Sequence, residues 1–212
     1  LRYRWTDEDW RRLIDMIARR EGIGAPMSEG PAVFARWIGG DAWRYAMAVK
    51  NQAFPAHEPR FKRALAIGYA VSPTGADHMH SLHDAGLQNP DANGFLPSAT
   101  LRGMGILEPV PLESLGPDKV RLHTYNTIDR ATQNCLLVCN FVPWTLQERV
   151  ELINAATGWD TTPVELFEAG QRALNLARVF NLREGLTAAD DRLPERSYGA
   201  TRNGPLADGG ID

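Results

Sequence analysis

Apolar positions recur at helical spacing along most of this chain. Trp10, Leu13, Ile14, Ile17 and Ala18 form one stripe, because residues three and four apart share a helix face. Thr6 ahead of Asp7, Glu8 and Asp9 supplies a capping hydroxyl and then acids at the positive end of the dipole. Arg19-Arg20 and Gly22 close this first helix. Ser28-Glu29 opens a second, through Phe34 and Trp37 to Gly39-Gly40. Ala46 to Lys50 suits a short strand, and Pro55 and Pro59 bracket a loop holding His57. A helix follows over 60–70, with Ala64, Leu65, Ile67 and Ala70 inward, and stops at the turn sequence Ser72-Pro73-Thr74-Gly75.

Residues 84–117 carry Gly and Pro with little periodicity, so a long ordered loop with short helical turns is expected there. The pattern then gives a long helix over 118–141 and another from the Thr145 cap through Leu146 to Ala156, closed by Gly158. Thr162-Pro163 with Glu165 starts one more, running to about Arg183. Its apolar face is Leu166, Ala169, Ala173, Leu176, Val179 and Phe180. Thr187 to Asp191 reads as a last turn, and the tail after Pro194 has little to bury. The expected fold class is mainly α, with one small β element.

Composition adds limits. The chain has 212 residues, enough to bury a core. Its net charge of −3 gives none of the clustered basic surface that marks a nucleic-acid binder. The apolar run from Cys135 to Trp144 is interrupted and about half the roughly 20 residues of a membrane helix. The opening Leu-Arg-Tyr-Arg-Trp is no signal peptide, and two cysteines make no disulfide framework, so a cytoplasmic protein is the expectation. A first residue other than Met, and an end at Gly209-Gly210-Ile211-Asp212 within a polar stretch, suggest an internal piece of a longer protein rather than a cleaved mature one.

Two constellations could carry chemistry. Three of the five histidines, His78, His80 and His83, follow the Gly75 turn. Imidazole passes protons near neutral pH or binds metals. The set could be surface and core histidines, a catalytic histidine, or a zinc site in which Asp84 or His83 joins His78 and His80, although its spacing matches no strong zinc motif. Cys135 and Cys139 are four apart, so on a continuous helix they share a face. Two thiolates do not complete a zinc or iron–sulfur site, and buried cysteines are often plain small hydrophobes. There is no phosphate loop, nucleophile elbow or dinucleotide fingerprint. The acids near helix starts read as caps, and the six tryptophans as core.

Six collinear stretches together resemble the aldehyde:ferredoxin oxidoreductases. These are Ile17 to Gly24 with Ser28-Glu29-Gly30, Val49-Lys50 with 54–60, Ala70 to His78, Asn134 to Phe141, Thr157-Gly158-Trp159-Asp160, and 180–187 with 190–196. The resemblance implies a tungsten or molybdenum atom held by two pterin dithiolenes beside a 4Fe-4S cluster. It implies an N-terminal β-rich pterin domain, absent here, and two helical domains. Residues 1–50 would end the second domain and 51–212 would form the third, incomplete at its C-terminal end.

By the same resemblance His78 is the catalytic histidine and Cys139 the last of four cluster cysteines. Asn134 and Val138 fall in the cofactor-binding motif. Asn134 stands where the family carries an aspartate on a pterin; it can still accept, and also donates, but has no charge. Cys135 reads as packing, and His80 as a pocket-lining residue. The implied activity is oxidation of aldehydes to carboxylic acids with ferredoxin as electron acceptor, and a homo-oligomer is possible. Reduction of an aromatic acyl-CoA thioester within the family, and a non-enzymatic helical module binding metal through His78, His80 and His83, are the alternatives.

Overall fold

The computed structural model describes residues 4–87, 102–142, 144–201, 203–204, 206–207 and 211. The described part is mainly helical, as expected. α1 (Asp7–Arg19) is capped by Thr6 and Asp9, which bond each other's backbone N–H, and it ends on Arg20 in the left-handed conformation. A short α2 (Gly24–Met27) leads into α3 (Pro31–Ile38). Ser28-Glu29 does not start that helix. Ser28 Oγ donates to Ala25 O at 2.8 Å, closing α2, and Pro31 in the first turn after left-handed Gly30 starts α3.

β1 (Ala48–Val49) pairs antiparallel with β2 (Gln52–Ala53) across Lys50 and Asn51, both at positive φ. α4 (Arg63–Val71) is deeply placed. Ala64, Leu65, Ala66, Gly68 and Tyr69 are all buried, so it is enclosed on more sides than the expected stripe of Ala64, Leu65, Ile67 and Ala70. Residues 88–101, the middle of the expected long loop, lie outside the described residues.

α5 (Pro117–Cys135) crosses α7 (Pro163–Arg183) closely. A Cβ on Gly170 would come within 2.7 Å of both Ile128 O and Thr132 Cγ2, so glycine is what permits the crossing. α6 (Leu146–Thr157) and α7 start on Thr145 and Thr162, each with a reciprocal Glu three residues on. Thr187 likewise caps the 3-10 turn Ala188–Asp190.

Several expectations change. α5 stops at Cys135 rather than near 141, and Leu137 takes a left-handed conformation at φ 57°. Cys135 and Cys139 therefore do not share a helical face, and both are exposed rather than packed as small hydrophobes. The expected stripe of α7 is buried only at Leu166, whereas Leu176, Val179 and Phe180 are exposed. Ile14 on α1 is likewise 63% exposed, and Trp5, Trp10, Trp37, Trp43, Trp144 and Trp159 are exposed rather than core. The tail does bury groups: Leu193 and Ile211 join Val49, Leu65, Ala66, Tyr69 and Ala76 in one apolar cluster. No helix among the described residues is long and apolar enough to cross a membrane.

Candidate functional site

The candidate site is built on the turn leaving α4. Gly75 sits at φ +97°, and a Cβ there would lie 2.2 Å from Val49 O, so the turn closes against β1 only as glycine. Asn181 Nδ2 on α7 donates to Pro73 O at 2.8 Å and fixes the other side. Asp77 then orders the histidine segment: its Oδ1 accepts from Met79 N at 2.7 Å and its backbone O from Ser81 Oγ at 2.9 Å.

His78 and His83 meet a third imidazole, His57. The ring centroids are 5.0 Å apart for His57–His78, 4.6 Å for His57–His83 and 5.7 Å for His78–His83. Lys62 Nζ is 3.4 Å from His83 Nδ1, and His83 Nε2 is 3.2 Å from His78 O. One tautomer satisfies both contacts: Nδ1 accepts from the ammonium and Nε2–H donates to the carbonyl. Burial, then the Lys62 charge and His57, pushes the His83 pKa down to about 4. Burial, Lys62 and His78 lower that of His57 as well. Both shifts favour the neutral ring at pH 7, so His78 lies beside two uncharged imidazoles.

His80 points elsewhere. Its Nε2 is 3.3 Å from Asp77 Oδ2 and its Nδ1 is 3.1 Å from Asn134 Nδ2 at the end of α5. With Nε2–H directed to Asp77, the His80 Nδ1 accepts from the Asn134 amide. That arrangement turns the Asn134 Oδ1 acceptor to other partners. Beyond Asn134 the left-handed Leu137 throws the chain outward. Leu137 is 92% exposed, Cys139 is exposed, and Arg130 Nη1 holds the loop by donating to Asn140 O at 3.1 Å.

Thus Asn134 is joined to the histidine segment through His80. His78 faces His57 and His83, and Val138 and Cys139 lie on the exposed loop that follows. Among the described residues no group of three or more His, Cys, Asp or Glu is arranged to hold a metal ion. The zinc reading of His78, His80, His83 and Asp84 therefore fails: Asp84 is turned into a buried pair with Lys119 and His80 towards Asn134. Cys135 and Cys139 are both exposed thiols that do not share a helical face, and either could serve a cubane cluster only beside ligands from elsewhere, since such a cluster takes four. An exposed Asn amide fits a ring carrying N–H and C=O groups.

The sequence pattern passed over His57 and Lys62. His57 is 21 residues from His78, in a loop without periodicity, and nothing local signals their contact.

Behind the segment, α4, α5 and α7 line a half-open hollow of about 270 Å³, walled by Gly68, His80, Ser81, His123, Ile128 and Leu174 among others. A larger, more open hollow lies beside Lys50 and Arg192.

Comparison with known proteins gives a consistent set. The family model described as "Aldehyde ferredoxin oxidoreductase, domains 2 & 3" matches residues 1–211. A tungsten-containing aldehyde ferredoxin oxidoreductase of Pyrococcus furiosus is 29% identical over 200 residues, 92% of this chain and 30% of its own length. The enzyme of the same name from Thermococcus kodakarensis is 27% identical over 92% of this chain and 30% of its own. A P. furiosus aliphatic sulfonate oxidoreductase, WOR-like subunit, is 28% identical over 95% of this chain and 29% of its own. The chain thus spans about 30% of the curated relatives it matches. Among solved structures, the active-site complex of benzoyl coenzyme A reductase with 1,5-dienoyl-CoA superimposes with a TM-score of 0.71. It is 18% identical over 91% of this chain and 33% of that one, a likeness of fold.

Proposed function

Because the chain belongs to the aldehyde ferredoxin oxidoreductase family, in its domains 2 and 3, we propose that it walls the substrate site of a tungsten-dependent oxidoreductase acting on aldehydes. The observation carrying this reading is the placement of His78 beside two neutral imidazoles on a segment joined, through His80, to the helix end that presents Asn134, Val138 and Cys139.

In this reading residues 1–50 close the second domain and 51–212 form most of the third. When bound, the metal–pterin group supplies the two-electron redox step and an iron–sulfur cluster passes the electrons on singly to ferredoxin. Cys139 offers one thiolate to that cluster. Asn134 Oδ1 would accept from the pterin while its amide stays on His80, and Val138 would lie beside it. His78 holds the substrate carbonyl oxygen by a hydrogen bond and moves the proton there, its orientation kept by the 5.0 Å and 5.7 Å contacts with His57 and His83. A positioned general acid–base group of this kind contributes roughly 10²–10⁴ in rate. In the full-length protein His78→Ala should therefore lower aldehyde turnover by about that factor with tungsten content unchanged. Near-normal turnover would overturn the assignment.

A second substrate class has one observation in its favour. The relative named an aliphatic sulfonate oxidoreductase is about as similar as those named for aldehydes, 28% against 29%. Turnover of an alkyl sulfonate with no aldehyde activity would select it. Acyl-CoA reduction has only the likeness of fold behind it.

A further inference from the structure

The three imidazoles share their corner of the molecule with a charge that the chemistry above does not use. Lys62 is half-buried just ahead of α4, and among the described residues it joins no ion pair. Its ammonium lies 3.4 Å from His83 Nδ1. That contact uses one N–H donor of three and leaves the others. The carboxylates next to the three histidines in sequence are all engaged. Glu58, beside His57, is held by Arg60 at 2.8 Å and 2.9 Å. Asp84, beside His83, is fully buried against Lys119. Asp77, beside His78, accepts from Met79 N at 2.7 Å and stands 3.3 Å from His80 Nε2.

The corner therefore carries one uncompensated positive charge. Burial, and after it that charge, lowers the pKa of both His57 and His83, so these rings add no second one. A half-buried cation without a counter-ion favours a bound anion. Its magnitude selects the anion: a carboxylate or a sulfonate carries a single negative charge, whereas a phosphate monoester carries about −1.5 to −2 at pH 7. Its place decides what brings the anion in. Lys62 is one imidazole removed from His78, because His83 meets the ammonium with Nδ1 and donates from Nε2 to His78 O at 3.2 Å. The His78 and His83 rings stand 5.7 Å apart, and His57 lies 5.0 Å from one and 4.6 Å from the other. A molecule held by its carbonyl at His78 reaches the ammonium with a short chain.

We propose that Lys62 determines specificity by pairing with a singly charged acid group, a carboxylate or a sulfonate, that the substrate carries a few carbons from its aldehyde. The proposal rests on the aldehyde reading above. Two measurements on the full-length holoenzyme test it separately from that reading. The first compares kcat/KM for 4-oxobutanoate and butanal, which share a chain length and differ in the acid. The parent should favour 4-oxobutanoate. Lys62→Gln keeps a donor for His83 Nδ1 and removes the charge, and it should reduce the ratio about tenfold, through KM. Lys62→Arg should keep most of it. A parent indifferent to the acid, or an equal loss on both substrates, would overturn the role of Lys62.

The second is calorimetric binding of butanoate and of butane-1-sulfonate, which needs no turnover. The better-bound of these acids identifies the group. It should bind the parent and His78→Ala alike, and about tenfold more weakly to Lys62→Gln. Its affinity for the parent should fall with added salt more steeply than for that variant. Lys62→Arg, which keeps the charge, should retain most of the affinity and guards against a folding defect in the first variant. Butanamide, uncharged, should bind parent and Lys62→Gln alike. Acid and amide bound equally by the parent, or acid affinity indifferent to Lys62→Gln, would overturn the anion site. Acid binding that depends on Lys62, in a protein that oxidises no aldehyde, would overturn the aldehyde reading and leave a site for short organic anions.

Discussion

Gly75 carries more of the site than any imidazole does, because the histidine segment begins where it lets the turn meet β1. Gly75→Ala combines φ +97° with a Cβ 2.2 Å from Val49 O, and should cost on the order of 2–3 kcal/mol in denaturant unfolding, as strained backbone positions do. The neutral imidazoles make a different prediction. His83 has a pKa of about 4 in the fold against 6.5 for an unperturbed ring, so the unfolded chain binds the proton more readily between those values. Its contribution to stability is fully present above about pH 6.5 and is lost as the pH falls through about 4. His123 acts in the same direction. Urea midpoints should fall between about pH 7.5 and about pH 5, and His83→Gln should flatten the fall. The burial behind these shifts comes from residues far along the chain, so the histidines were legible in the sequence as candidates but their charge state was not.

Elements were legible wherever a local signal set them. Thr6, Thr145, Thr162 and Thr187 each bond the backbone of an acid-bearing residue downstream or its neighbour, and each marks the start it suggests. Thr162→Ala should cost about 1 kcal/mol, seen as a lower melting temperature. The end of α5 was not legible, for a physical reason. The left-handed cap there falls on Leu137, where glycine would be usual, and Leu136 to Val138 reads as more helix. A non-glycine residue in that conformation is strained by about 1–2 kcal/mol, and Leu137 is 92% exposed, so Leu137→Gly loses little packing. It should be neutral or stabilising by up to about 1 kcal/mol by chemical denaturation, whereas Gly inside a true helix would destabilise. The same break decides how Cys139 is presented, since a helix continuing to 141 would have carried the thiol along its own surface.

At the scale of the whole molecule, buried ion pairs join the site to the helices. Lys119 on α5 reaches Asp84, directly after His83, and both side chains are fully buried. Asp84 also accepts from Ala64 N on α4 at 3.3 Å. Lys119→Met leaves that carboxylate without its cation and should cost about 3–5 kcal/mol in chemical denaturation. The loss should exceed that of any surface pair such as Arg19–Asp15. Lys119 could not be singled out from the pattern of α5, because what makes it matter, Asp84, lies more than 30 residues away. His80 has a consequence of its own. It is one wall of the hollow while its Nδ1 holds the Asn134 amide, so an occupant on either side acts on the same ring. Affinities at the two faces are then reciprocal: whatever factor a guest in the hollow imposes on what Asn134 binds is returned in equal measure.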